Sequence, residues 1–151
     1  MKALSLWQPW ASLWVSGRKI HETRHWPLTV PQGGFWLAVH AAKKPPSDID
    51  PELASICRDQ FGPIWTAQLP YGAIIGRVHV TRCRRTEDVL YGVGASDHFP
   101  DSDDYCCGNF GPGRFAFETD DRRARINPLP YRGLQGLFSI PDLPALGERA
   151  A

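Results

Sequence analysis

Apolar and polar positions along the chain change period every ten residues or so, and each change predicts a new element. Lys2–Leu6 reads as a short entry strand. Gln8, Pro9 and Trp10 then open a helix, with proline near the first helical position, where its missing N–H costs nothing. Trp10, Leu13 and Trp14 fall on one stripe of that helix, and Gly17 supplies a left-handed stop. Alternation over residues 20–24 predicts a strand that puts Glu22 and Arg24 on one face and His21 and Thr23 on the other.

Residues 33–42 are apolar on both faces and predict a central strand. Asp48 or Asp50 caps a helix that starts at Pro51, with Leu53, Ile56 and Cys57 as its buried stripe. Residues 61–70 read as a loop. The longest strand is expected over 72–84, sending Ile74, Gly76, Val78 and Val80 to one face and Ile75, Arg77, His79 and Thr81 to the other. A helical turn is expected at 86–90. Residues 91–112, rich in glycine and aspartate and without period, predict a long mobile surface loop. Strands at 115–126 and 134–140 complete the pattern, followed by a frayed tail over 142–151. Five or six strands with two or three helices predict an α+β fold whose mixed sheet curls towards a barrel, in one domain over residues 1–141.

Composition narrows the function classes. The 151 residues carry 17 Lys and Arg against 16 Asp and Glu, which argues against a polycation or an acidic disordered tail. No apolar run is long enough to span a bilayer, and the first residues do not form a signal peptide, so a cytoplasmic chain without membrane contact is expected. The four cysteines lack metal or disulfide spacing, and reduced thiols with no metal and no cofactor are expected. Thirteen of the 17 cations are arginine, whose planar fork suits phosphate and base stacking. Cations bunch at Lys43-Lys44, Arg82-Arg84-Arg85 and Arg122-Arg123-Arg125, the last reading as a solvated strand edge that favours a monomer.

Several segments in order resemble a known family. Trp7-Gln8-Pro9-Trp10-Ala11-Ser12, then Gly17-Arg18-Lys19 and Glu22-Thr23-Arg24 with Trp26, look like the opening signature of ASCH domains (activating signal cointegrator homology). His40-Ala41-Ala42-Lys43, the run from Leu69 to Gly76 and the run from Pro130 to Phe138 fit the same pattern. The resemblance implies a PUA-like β-barrel with a cleft beside the first helix that binds RNA, single-stranded DNA or a modified nucleoside. It also brings a second class into view, hydrolases acting on RNA or on acylated nucleosides such as N4-acetylcytidine.

The deacetylating relatives use a lysine, a threonine three residues on and a later glutamate. The lysine maps to Lys19, but the other two positions hold Glu22 and His79. Loss of the hydroxyl removes that nucleophile, although Glu22 could activate water as a general base. The expected site is therefore Lys19, Glu22, Arg24 and Lys43, with Trp7, Gln8, Tyr71 and Arg132 lining it. Lys19, Arg24 and Lys43 would neutralise phosphate, Glu22 or Gln8 would meet a base edge, and Trp7 or Trp26 would stack. The plainer readings stay open: Glu22 and Arg24 as a structural ion pair, and His40 and His79 as satisfied barrel histidines. Arg77 beside His79 is a further phosphate candidate. A third class, a protein-interaction module built on the 91–112 loop, rests on that loop's length and acidity alone.

Overall fold

The computed structural model describes residues 1–143, so the tail expected to fray lies almost wholly outside the described residues. In chain order the elements are β1 (Lys2–Leu6), α1 (Trp10–Ser16), β2 (His21–Arg24), β3 (Phe35–Ala41), α2 (Pro51–Phe61), α3 (Trp65–Gln68), β4 (Ala73–Arg85), α4 (Thr86–Tyr91), a 3-10 turn (Phe99–Asp101), α5 (Asp103–Cys106), β5 (Phe115–Pro130) and β6 (Leu137–Ser139). The strands form one six-stranded sheet in the order β2-β5-β4-β3-β1-β6. The β1–β3 pair is parallel and the other pairings are antiparallel, so the sheet is mixed.

The sheet curls into a half-barrel. Arg24 on edge strand β2 donates through Nη2 to the Ser5 carbonyl of β1, 2.9 Å away, although β5, β4 and β3 lie between these strands in the sheet order. Helix α1 packs on β4, β3 and β5. Its Trp14 and Val15 join Leu4, Leu6, Leu37, Val39, Val78, Val80 and Phe117 in the main core. The other face carries a smaller core of Ala3, Ala38, Ile74, Ile126, Phe138 and Ile140. Alternation along β1 and β3 explains this division, because Ala3 and Ala38 point away from the flanking leucines and valine.

Strand β4 departs from the expected alternation. A register shift between Ile74 and Gly76 places Ile74 in the smaller core and Ile75 in the main one, beside Val78 and Val80. The bulge inserts a residue and changes which parity faces inward. Gly76 sits against this irregularity. A Cβ there would lie 2.5 Å from the Ala124 carbonyl oxygen and 2.8 Å from Val15 Cγ1, so the bare backbone lets α1 settle onto the sheet.

Among the described residues the helix count exceeds expectation: five α-helices rather than two or three. Two of the additions, α3 and α5, are single turns of four residues, too short to leave a periodic signature. Helix α2 starts as expected, with Asp50 accepting from the Leu53 amide at 2.9 Å and Pro51 in the first turn. The 91–112 segment is corrected too. It holds the 3-10 turn and α5, and buries Asp104, Cys107 and Phe110 against the body of the protein.

Candidate functional site

A cleft of about 1320 Å³ opens where β1, β2 and the start of α1 meet the 106–109 and 131–136 segments. Its wall includes Trp7, Glu22, Arg24, Lys43, Tyr71 and Arg132 from the expected set. Lys19 and Gln8 do not reach it, being fully buried.

Gln8 is consumed by the turn that starts α1. Its Oε1 accepts from the Ser12 amide at 3.0 Å, while Nε2 donates to Ser12 Oγ at 2.7 Å and to the Pro70 carbonyl at 2.9 Å. The carboxamide satisfies orphan groups at the helix start, which leaves it nothing for a base edge.

Lys19 stands behind the cleft. Its amide donates to the Leu13 carbonyl just past α1, and Nζ donates to the His21 carbonyl at 2.8 Å and to Glu22 Oε1 at 2.5 Å, with the Trp14 ring 5.2 Å from the charge. Glu22 Oε2 in turn accepts from Arg24 Nε at 2.7 Å. Burial would raise the Glu22 carboxyl, but the Lys19 and Arg24 cations outweigh it and hold the group below the usual carboxylate range. A carboxylate clamped on both oxygens is an ion-pair partner and a poor general base. Its work is to aim Arg24, whose guanidinium is steered by Glu22 on one side and the Ser5 carbonyl on the other.

Trp7 is 57% exposed at the cleft, and Lys44 Nζ lies over its ring, 4.3 Å from the centroid. Lys43 and Arg132 are exposed on the same wall, while the Tyr71 hydroxyl donates to the Thr66 carbonyl. Trp26 also lines the cleft but leans on Phe117, with ring centroids 5.3 Å apart. Of the Lys, Arg, Asp and Glu side chains on the wall, Arg24, Lys43, Arg114 and Arg132 face Glu22 and Asp50, and Glu22 is already neutralised, so the surface is basic.

Other expected participants lie elsewhere. His79 alternates with Val78 and Val80 of the main core, contacts Trp36 edge-on, and bonds Asp120 at 3.0 Å on the opposite face. Arg77 rests 4.2 Å over the Trp36 ring, also away from the cleft. Arg123 is not a solvated edge residue: its Nη1 donates to the Trp14 carbonyl at 2.8 Å and closes the end of α1.

Three contributors escaped sequence reasoning. Arg114 donates to the Thr23 carbonyl, and Asn109 donates through its amide to Thr23 Oγ, so the segment expected to be a loose loop builds a wall of the cleft. His25 follows Arg24 onto the same wall. The signal for Arg114 was its place directly before the Phe115–Phe117 alternation. Among the described residues no group of three or more His, Cys, Asp or Glu side chains is arranged to hold a metal.

A family model for the ASCH domain matches residues 4–95. The crystal structure of ASCH from Zymomonas mobilis superposes with a TM-score of 0.54 at 14% identity, covering 96% of this chain and 90% of that one. A single-substitution mutant of that Zymomonas mobilis protein gives 0.54 at 17% identity, covering 97% and 95%. At these identities the likeness is one of fold. No curated protein matches the sequence.

Proposed function

The chain belongs to the ASCH domain family, and from that membership we propose that its basic cleft recognises single-stranded RNA or DNA, or a modified nucleoside. The observation that carries the reading is Trp7, an exposed indole on a wall where four cations face two carboxylates. Indole faces stack bases and cations neutralise phosphate, and the combination is what single-stranded nucleic acids require. Arg24 is the central contact, because Glu22 and the Ser5 carbonyl fix its plane before any ligand arrives. Lys43, Arg114 and Arg132 meet phosphates, and Lys19 contributes from behind by holding Glu22.

Hydrolysis through Lys19 and Glu22 is the weaker reading. The ammonium is fully buried, and the carboxylate already accepts from two cations. We further propose that residues 1–141 act as one monomeric unit in the cytoplasm, a setting consistent with four free cysteines. Among the described residues no helix is long and apolar enough to cross a membrane.

The test is fluorescence anisotropy of a short labelled single-stranded RNA, titrated with wild-type protein at two salt concentrations. Binding that weakens with salt and with loss of Trp7 is expected. Absence of binding at low salt overturns the nucleic-acid reading.

A further inference from the structure

A second polar group opens on the cleft, apart from Lys19, Glu22 and Arg24. Ser5 and His40 are direct neighbours in the parallel β1–β3 register, and both line the cleft. Ser5 Oγ lies 2.8 Å from His40 Nδ1, and His40 Nε2 lies 2.7 Å from the Tyr131 carbonyl oxygen. A carbonyl only accepts, so Nε2 carries the ring proton. Nδ1 is then the bare nitrogen, and the Ser5 hydroxyl donates to it. Burial lowers the proton affinity of His40 against the opposing pull of the Tyr131 bond, which keeps the ring neutral near pH 7.

The Ser5 hydroxyl is half-buried at the cleft, and the His40 ring is buried behind it. The chain crosses it at Gly133, where a Cβ would lie 2.6 Å from His40 Cε1 and 3.1 Å from Ser5 Oγ. Only a residue without a side chain passes there without displacing the ring. The amides of Gly133, Leu134, Gln135 and Gly136, in residues that line the cleft, meet no acceptor among the described residues. Of these, the Gly133 amide belongs to the residue that crosses the pair, and no protein acceptor competes for it. Arg24, bonded to the Ser5 carbonyl, adds a fixed positive charge.

We propose that Ser5 is a nucleophile and His40 its general base, acting on an acyl ester of a nucleoside sugar hydroxyl. The assignment rests on the cleft reading above for the nucleoside part of the substrate. Ser5 Oγ attacks the acyl carbon while its proton passes to His40 Nδ1. The ester C–O bond then breaks, and the sugar oxygen takes that proton as it leaves. Water next attacks the acyl-serine, giving one proton to Nδ1, which returns it to Ser5 Oγ as the carboxylic acid departs. His40 is backed by a neutral carbonyl rather than a carboxylate, so its protonated form gains little support. Such a base suits an ester with an alcohol leaving group better than an amide.

The test treats the whole chain with 4-nitrophenyl acetate and, separately, with 3′-O-acetyladenosine, and maps any acetyl-enzyme by peptide mass spectrometry. We expect a burst of nitrophenolate, one acetyl group on Ser5, and release of adenosine. Ser5→Ala, judged folded by its melting temperature, should abolish both the burst and the label. His40→Gln should slow acylation at least about 100-fold. The wild-type rate should rise with pH through one ionisation below the ordinary imidazole value of about 6.5. An acetyl group found on Lys19 or another residue, or no acetyl group, overturns the proposal whether or not the variants fold. RNA titration of the same wild-type preparation keeps the two readings apart. RNA binding without Ser5 acylation removes the nucleophile and leaves the binding site. Acylation by 4-nitrophenyl acetate with neither RNA binding nor adenosine release overturns the sugar-ester substrate.

Discussion

Asp104 holds His21 across 83 positions of sequence. Its Oδ2 lies 2.7 Å from His21 Nδ1, while Oδ1 accepts from the Ile20 and His21 amides. On the other side His21 Nε2 meets Glu118 at 3.0 Å, so a buried imidazole is clamped between two carboxylates. Through this clamp α5 is fastened to β2, and with it the segment carrying Cys106 to Asn109 along the cleft.

The clamp gives stability a pH window. Burial alone would favour neutral His21, but Asp104 and Glu118 outweigh it and raise its proton affinity. That contribution is complete below the ordinary histidine value of about 6.5 and is lost as pH rises through the raised folded value. Burial would raise the Asp104 carboxyl, but His21 and the Ile20 and His21 amides outweigh it and lower it, and Glu118 is brought to about 2 by His21 first and then by Arg82 and Arg84. Their contributions are present above the ordinary carboxyl range and lost as pH falls. The clamp's own contribution should therefore peak between roughly pH 5 and 6.5. Asp104→Asn should cost about 3 kcal/mol there and flatten the decline above it, read from urea midpoints at pH 5.5 and 8.5.

Trp7→Ala separates binding from folding. The ring is exposed, so its removal should leave the melting temperature nearly unchanged. Loss of one stacked base should cost about 1–3 kcal/mol of RNA affinity. Unchanged anisotropy titrations would put the nucleic acid elsewhere.

Lys43→Ala and Arg132→Ala should weaken RNA binding and also its salt dependence. Each lost phosphate contact on a single strand should reduce the slope of log affinity against log salt by about 0.7. A parallel loss of affinity at an unaltered slope would assign these side chains another role.

Lys19→Met tests a buried charge. With Nζ gone, Glu22 keeps only Arg24, and a destabilisation of about 3–5 kcal/mol is expected in denaturant titration. In Lys19→Met combined with Glu22→Gln the penalty should shrink, because no uncompensated carboxylate remains. If the double variant is no more stable than the single one, the pair is not what Lys19 serves.

Much of the fold was legible because its signals are local. The Gly17 stop after α1 and the Asp50 cap on α2 each sit within a few residues of the element they define. The 91–112 segment was not legible, because its order comes from partners far away in sequence: His21 for Asp104, and Thr23 for the Asn109 amide. The cleft residues Trp7, Arg24 and Lys43 could be found from motif spacing, but spacing says nothing of depth. Gln8 and Lys19 share that motif and are nevertheless enclosed, since the groups that enclose them come from Pro70 and the Trp14 face. The Ser5–His40 contact was hidden for a similar reason, as neither residue signals that a parallel pairing will place them side by side.

The bare backbone at Gly76 gives the cleft an adjustment screw on its far side. Val15 of α1 rests where a side chain at 76 would stand, and the same short helix begins at Trp10, a residue of the cleft wall. Any bulk added at 76 must push the helix outward or shift the Ala124 strand backbone, so the width of the cleft is set partly by a position outside its lining.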